Sequence, residues 1–255
     1  MMIFPFLWMI LTSFKTVAET TRIPPTFLPD SFTNLEAYKQ ATASLPFLSL
    51  YYNTILMIIF RCIFAIIFSS MAGYAFAKLE FPFKKTCFSI VIIQMMFPTQ
   101  IFILPQYEII AKLGLNDTIF ALVFPGLVSA FGVFFLRQAY LGIPDDVIEA
   151  ARIDGASHFK TFYRIAFPLT KTPIAALTVF TSLFAYADLM WPLIVNTKAD
   201  KLTLASGLAT LNGQFILHFP NLMAGSVLAM IPMIIIYLIF QRQFIEGIAL
   251  TGMKA

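Results

Sequence analysis

From Leu48 to Ala77 the chain carries one formal charge, Arg61. A helix needs roughly 17–25 predominantly apolar residues to cross a bilayer. This run is longer than that, with room to tilt or protrude. Only 12% of the residues are charged and 59% are hydrophobic, whereas a soluble domain carries about 25% charged residues. A surface so poor in charge must be covered largely by lipid. The net charge of +4 does not indicate a nucleic-acid partner, because the basic residues form no single amphipathic face. Cys62 and Cys87 lie in apolar runs without metal-ligand spacing and behave there as small hydrophobes.

The remaining apolar runs set the organisation. Met1 to Phe14 is too short to cross alone and reads as the outer part of a first span whose start is missing or misassigned. Lys15 to Pro46, with Pro24, Pro25 and Pro29 and balanced charges, reads as an external connector. Leu48 to Ala77 is the second span and Thr86 to Ile110 the third, with Pro98 and Pro105 inside. Each proline removes a backbone donor and bends its helix. The fourth span is Thr118 to Leu141, the fifth Pro168 to Val195 and the sixth Asn221 to Phe240. Lys78, Lys84 and Lys85, then Arg152, Lys160 and Arg164, mark the loops about 78–86 and 142–167 as cytoplasmic, since short Lys/Arg-rich loops stay inside. The expectation is an all-α membrane protein, one domain over residues 1–255, of about six transmembrane helices with both termini cytoplasmic.

The loop from Gly142 to about Phe167 is the most polar stretch between spans. Pro144, Asp145 and Asp146 signal a helix start. Gly155 permits a turn that residues with a β-carbon resist. Ser157 is a cap for a second short helix, on which Phe159, Phe162 and Tyr163 share a face at i, i+3, i+4 spacing. Ala150, Ala151 and Ala156 would let another surface come close. Periodicity alone leaves two readings open, a hairpin lying on the lipid surface or a docking element for a soluble partner.

The residues carry more than their spacing. Glu149-Ala150-Ala151, Asp154-Gly155-Ala156, Phe162, Ile165, Pro168-Leu169 and Pro173 resemble the EAA loop of ABC-importer permease subunits, in the place the family has it, between the fourth and fifth spans. Asn53-Thr54, Ala72-Gly73-Tyr74-Ala75-Phe76-Ala77, Asp188 before Trp191-Pro192-Leu193, and Met223-Ala224-Gly225 are similar to the carbohydrate branch of that family, the maltose-type second permease. The resemblance implies a prokaryotic inner-membrane subunit with several partners: a second permease, two cytoplasmic ATPases and an external solute-binding protein that delivers a sugar. It implies no cofactor in this chain, since ATP and Mg are bound by the ATPase. The EAA loop would act as a coupling helix seated on the ATPase. Glu149 would supply a polar contact, Gly155 the bend, and Phe162 with Ile165 would pin the loop to the permease body.

Asp188 and Arg61 are charges inside spans, which are costly and face a cavity or a partner. Either they line the sugar path or they form ion pairs, with each other or with the second permease. Tyr186 and Trp191, with Phe184, have the faces to stack on sugar rings, or they are ordinary packing. His158 and His218 are isolated surface residues. A self-sufficient carrier would show more intramembrane carboxylates or repeated halves. An enzyme would show a nucleophile elbow, a His-Glu-x-x-His or a phosphate loop, and none of these motifs occurs. Which sugar is not legible, and another polyol or a sugar phosphate ester stays open as the solute.

Overall fold

The computed structural model describes residues 3–214 and 218–252, and at 212–214 and 242–252 the backbone alone. Every regular element among the described residues is helical. Two helices are long and apolar enough to cross a membrane, Phe47–Lys78 and Phe219–Gln241. The count rises to four if each of two bent pairs is one span.

Proline and polar breaks set those bends. The third apolar run is not one kinked helix but two, Lys84–Met96 and Thr99–Lys112, at 101° to each other. The cause is local: Pro98 cannot extend the helix, and the ring forces the preceding residue out of helical space, so Phe97 is extended (ψ 136). The fourth run bends by 50° between Ile119–Gly126 and Ala130–Leu141, where Ser129 caps the second helix through Gly132 N–H at 3.0 Å. The fifth is the helix Lys171–Ala187, a break at Asp188 and Leu189, and a short helix Met190–Val195. The sixth runs as Phe219–Gly252 with Pro232 inside, so the helix continues past the apolar stretch that ends at Phe240.

The chain divides into two compact units. One contains Met1–Leu56, Leu115–Leu122 and Tyr186–Ile239. Its core gathers Leu45, Phe47, Leu50, Leu202, Leu204 and Leu211 around small residues such as Ala41 and Ala224. The connector read as external is partly ordered here as Val17–Thr20 and Glu36–Ser44. The shorter helix carries a full capping box between Thr16 and Glu19. The Thr16 N–H holds the Glu19 carboxyl below the usual carboxylate range, with burial opposing it and the Asp30 N–H adding to it.

The second unit contains Met57–Gly114, Val123–Ala185 and Phe240–Ala255. Its aromatic-rich core is Tyr74, Leu136, Tyr140, Ile143, Ile148, Phe162, Ala166 and Leu177. Gly73 makes this packing possible: a β-carbon there would lie 2.9 Å from Arg137 N and 3.2 Å from Leu136 C. Small residues at such crossings let helix backbones meet.

Candidate functional site

The polar loop folds as a hairpin within the second unit. Its first arm is the helix Asp145–Ile153, with Asp145 and Asp146 at the positive end of the helix dipole and Arg152 in the last turn. The arm ends in a Schellman turn: Gly155 N–H donates to Arg152 O at 3.0 Å and Ala156 N–H to Ala151 O at 3.0 Å. Gly155 sits at φ +78, in the left-handed region. Ser157 then caps the next helix by accepting from Lys160 N–H at 3.3 Å. The bend at Gly155 and the two-armed shape therefore follow the sequence reading.

The second arm departs from it. His158–Thr161 continues into a π-helical turn over Phe162–Ala166, then Phe167–Leu169. Phe159 and Phe162 keep their rings together at 6.3 Å, as the spacing predicts, but the three residues are not equally buried. Phe162 is buried, while Phe159 and Tyr163 are 66% and 64% exposed. The Phe162 ring centroid lies 5.2 Å from Tyr74, 5.9 Å from Phe167 and 6.3 Å from Tyr140. Ile165 and Pro168 are half-buried.

The first arm has two distinct sides. Ile148 and Ala151 face the core, so Ala151 serves the chain's own packing rather than an outer surface. Glu149, Ala150, Arg152, Asp154 and Gly155 are exposed, and Ala156 is half-buried. Ile153 is 86% exposed, an apolar tip among charged neighbours.

A contact that spacing does not reveal fixes the base of the hairpin. Lys78, the last residue of the Phe47–Lys78 helix, reads in the sequence only as a cytoplasmic loop charge. Its side chain is 4% exposed. Its Nζ donates to Ile143 O at 2.6 Å and to Asp145 Oδ1 at 2.5 Å. Nearby Arg137 donates from Nε to Phe76 O at 3.2 Å and lies 4.2 Å over the Phe88 ring.

The residues considered for the solute path sit in different settings. Trp191 is buried, and its indole N–H donates to Ala121 O at 2.7 Å. Tyr186 donates its hydroxyl to Ala229 O. Asp188 is half-buried at the helix break and accepts from Trp191 N–H at 3.4 Å. Arg61 is buried, with its aliphatic stem against Gly126, where a β-carbon would lie 2.7 Å from Cδ. His158 and His218 are both exposed. Asn53 and Thr54 hold the segment about 200–204 by its backbone. Asn53 Nδ2 donates to Asp200 O and Leu202 O, each at 2.9 Å, and Thr54 Oγ1 accepts Leu204 N–H at 2.9 Å. Among the described residues no cluster of three metal-ligating side chains occurs.

Comparison with known proteins bears on all of this. The sequence pattern of the family described as "Binding-protein-dependent transport system inner membrane component" matches residues 1–249. The chain is 35% identical over 254 residues to the arabinooligosaccharides transport system permease protein AraQ of Halalkalibacterium halodurans, covering 99% of this chain and 91% of the relative. It is 34% identical over 233 residues to the sn-glycerol-3-phosphate transport system permease protein UgpE of Escherichia coli O157:H7, covering 91% and 83%. A similar solved structure is the crystal structure of a bacterial ABC transporter involved in the import of the acidic polysaccharide alginate. Its TM-score is 0.81 at 23% identity, over 94% of this chain and 90% of that one.

Proposed function

The chain belongs to the family of binding-protein-dependent transport system inner membrane components, and on that premise we propose that it forms half of the translocation path of a sugar importer, with the hairpin about 142–167 as its coupling element. It is a permease subunit of an ABC importer and not an enzyme, and the nucleotide binds a separate ATPase. The self-sufficient carrier or channel is set aside by that family match. The finer reading is six spans within one domain over 1–255, both termini cytoplasmic, a second permease alongside, two ATPases beneath and an external binding protein above.

The solute class rests on the printed names of the relatives, which transport arabinooligosaccharides and sn-glycerol-3-phosphate. Both are rich in hydroxyl groups, and we place this chain's substrate in the same chemical class. Asp188, Tyr186 and Trp191 remain the candidates for the path. Asp188 is the first to test, because the N–H and O–H donors of the other two are already committed to backbone carbonyls. If uptake rate and affinity are unchanged in Asp188→Asn, its role is confined to the helix break.

One observation carries the coupling role: a hairpin turned at Gly155, pinned inward by Phe162 and Ile148, that leaves Glu149, Ile153 and Asp154 outward. An outward strip with one apolar tip among charges suits a polar-rimmed docking surface. ATP-driven closure of the ATPases would move this strip. The permease would then switch between discrete packed states, driven only as far as each ligand prefers one state. The test is a photo-crosslinker at Glu149 in native membranes. Capture of an ATPase subunit is the expected result, and repeated failure to capture one removes the coupling role.

A further inference from the structure

We infer that Lys78 is a positioning residue that locks the base of the hairpin to the end of the Phe47–Lys78 helix and so passes hairpin movement into that helix. The inference rests on the coupling role proposed above. The hairpin touches this helix at two levels. One turn before the helix ends, the Tyr74 and Phe162 rings meet at 5.2 Å. Ring packing of this kind prefers offset or edge-on arrangements but fixes no single atom pair. The second level is directional. The Lys78 ammonium holds both Ile143 O and the Asp145 carboxylate, at 2.6 and 2.5 Å, on either side of Pro144. It thus grips the two residues that flank the start of the Asp145–Ile153 arm.

The setting argues for more than stability. The Lys78 side chain is 4% exposed, while the Asp145 side chain is 78% exposed. Burying an ammonium is costly, and because Asp145 is largely exposed its carboxylate would not be stranded in the interior if that ammonium were removed. A methionine would fill the same space with no charge to desolvate. What it could not do is hold a carbonyl and a carboxylate at fixed distances, and that is what a rigid link between two moving parts requires.

The test is Lys78→Met in the complete reconstituted transporter with its ATPases and binding protein. The expected result is a folded complex whose thermal midpoint drops only by what the lost donor to Ile143 O costs, with solute imported per ATP hydrolysed lowered about two- to thirtyfold, the range single residues on a coupling route produce. Lys78→Arg, which can still donate to both oxygens, should recover at least part of that ratio. A folded Lys78→Met complex with an unchanged ratio overturns the inference. If Lys78→Met fails to assemble, Asp145→Asn decides, because its side chain is exposed: an intermediate loss upholds the link and an unchanged ratio overturns it. Crosslinking from Glu149 in the same complexes separates the two ideas. Capture of the ATPase with an unchanged ratio sinks the Lys78 link alone, whereas no capture in the unmodified complex sinks the coupling role itself.

Discussion

Replacing Gly155 isolates the worth of the hairpin turn, because the site separates backbone strain from crowding. Gly155 has φ +78, and a β-carbon built there meets nothing within 4 Å. Within the subunit a larger side chain therefore costs only what its backbone preference dictates. For an ordinary L-residue the left-handed region costs about 1–2 kcal/mol, while asparagine enters it more readily. A cost of about 1–2 kcal/mol lowers the ratio of turned to opened hairpins by a factor of about 5–30. The expected order is therefore glycine, then Gly155→Asn, then Gly155→Ala, with the β-branched Gly155→Val last. The assay is solute uptake per ATP hydrolysed in proteoliposomes, beside amide exchange at Gly155 and Ala156, whose N–H groups close the turn. Membrane insertion should be the same in all four proteins. An order that follows size instead, with Gly155→Ala above Gly155→Asn, would refute the reasoning. So would exchange rates that do not change along the series.

Phe162→Ala should lower the stability of the detergent-solubilised subunit by about 3–5 kcal/mol, read as the loss of its thermal midpoint, because the ring is buried among Tyr74, Tyr140 and Phe167. Gly73→Ala should destabilise by about 1–3 kcal/mol, since the added carbon meets backbone at Arg137 and Leu136; a thermal melt equal to that of the parent chain would show that the helices part freely. Asp117 gives a pH dependence. Burial raises its carboxyl, but the N–H groups of Lys198 and Thr197 and the Thr197 hydroxyl outweigh burial and hold it below the usual range. A depressed carboxyl contributes stability above its unfolded value of about 3.9, and that contribution is lost as pH falls through the folded value. Stability measured from neutral to acid pH should therefore fall more steeply in the parent chain than in Asp117→Asn.

What the residues disclose in advance is local. The long run from Leu48 to Ala77 announces its helix by the near absence of charge. Gly155, flanked by helix formers and followed by Ser157, announces its turn because a left-handed residue has few other identities. The breaks at Phe97, Asp188 and Leu189 are harder. Proline signals a bend, but whether a helix kinks or turns by 101° depends on what packs on either side. Lys78 is hidden for a related reason. Its partner carbonyl lies 65 residues further along the chain, and nothing near Lys78 distinguishes a buried ammonium from a solvated one. Trp191 likewise has the look of a stacking surface until Ala121 O supplies a partner for its indole.

The grip of Asn53 and Thr54 on residues 200–204 has an evolutionary corollary. These two side chains recognise the carbonyls of Asp200 and Leu202 and the N–H of Leu204, groups that nearly every amino acid possesses. The segment's course is thus dictated from elsewhere, and its own exposed side chains, such as that of Asp200, are free to be rewritten. A scaffold that clasps peptide groups while ignoring identity lets new surface chemistry be tried there without re-inventing the path of the chain.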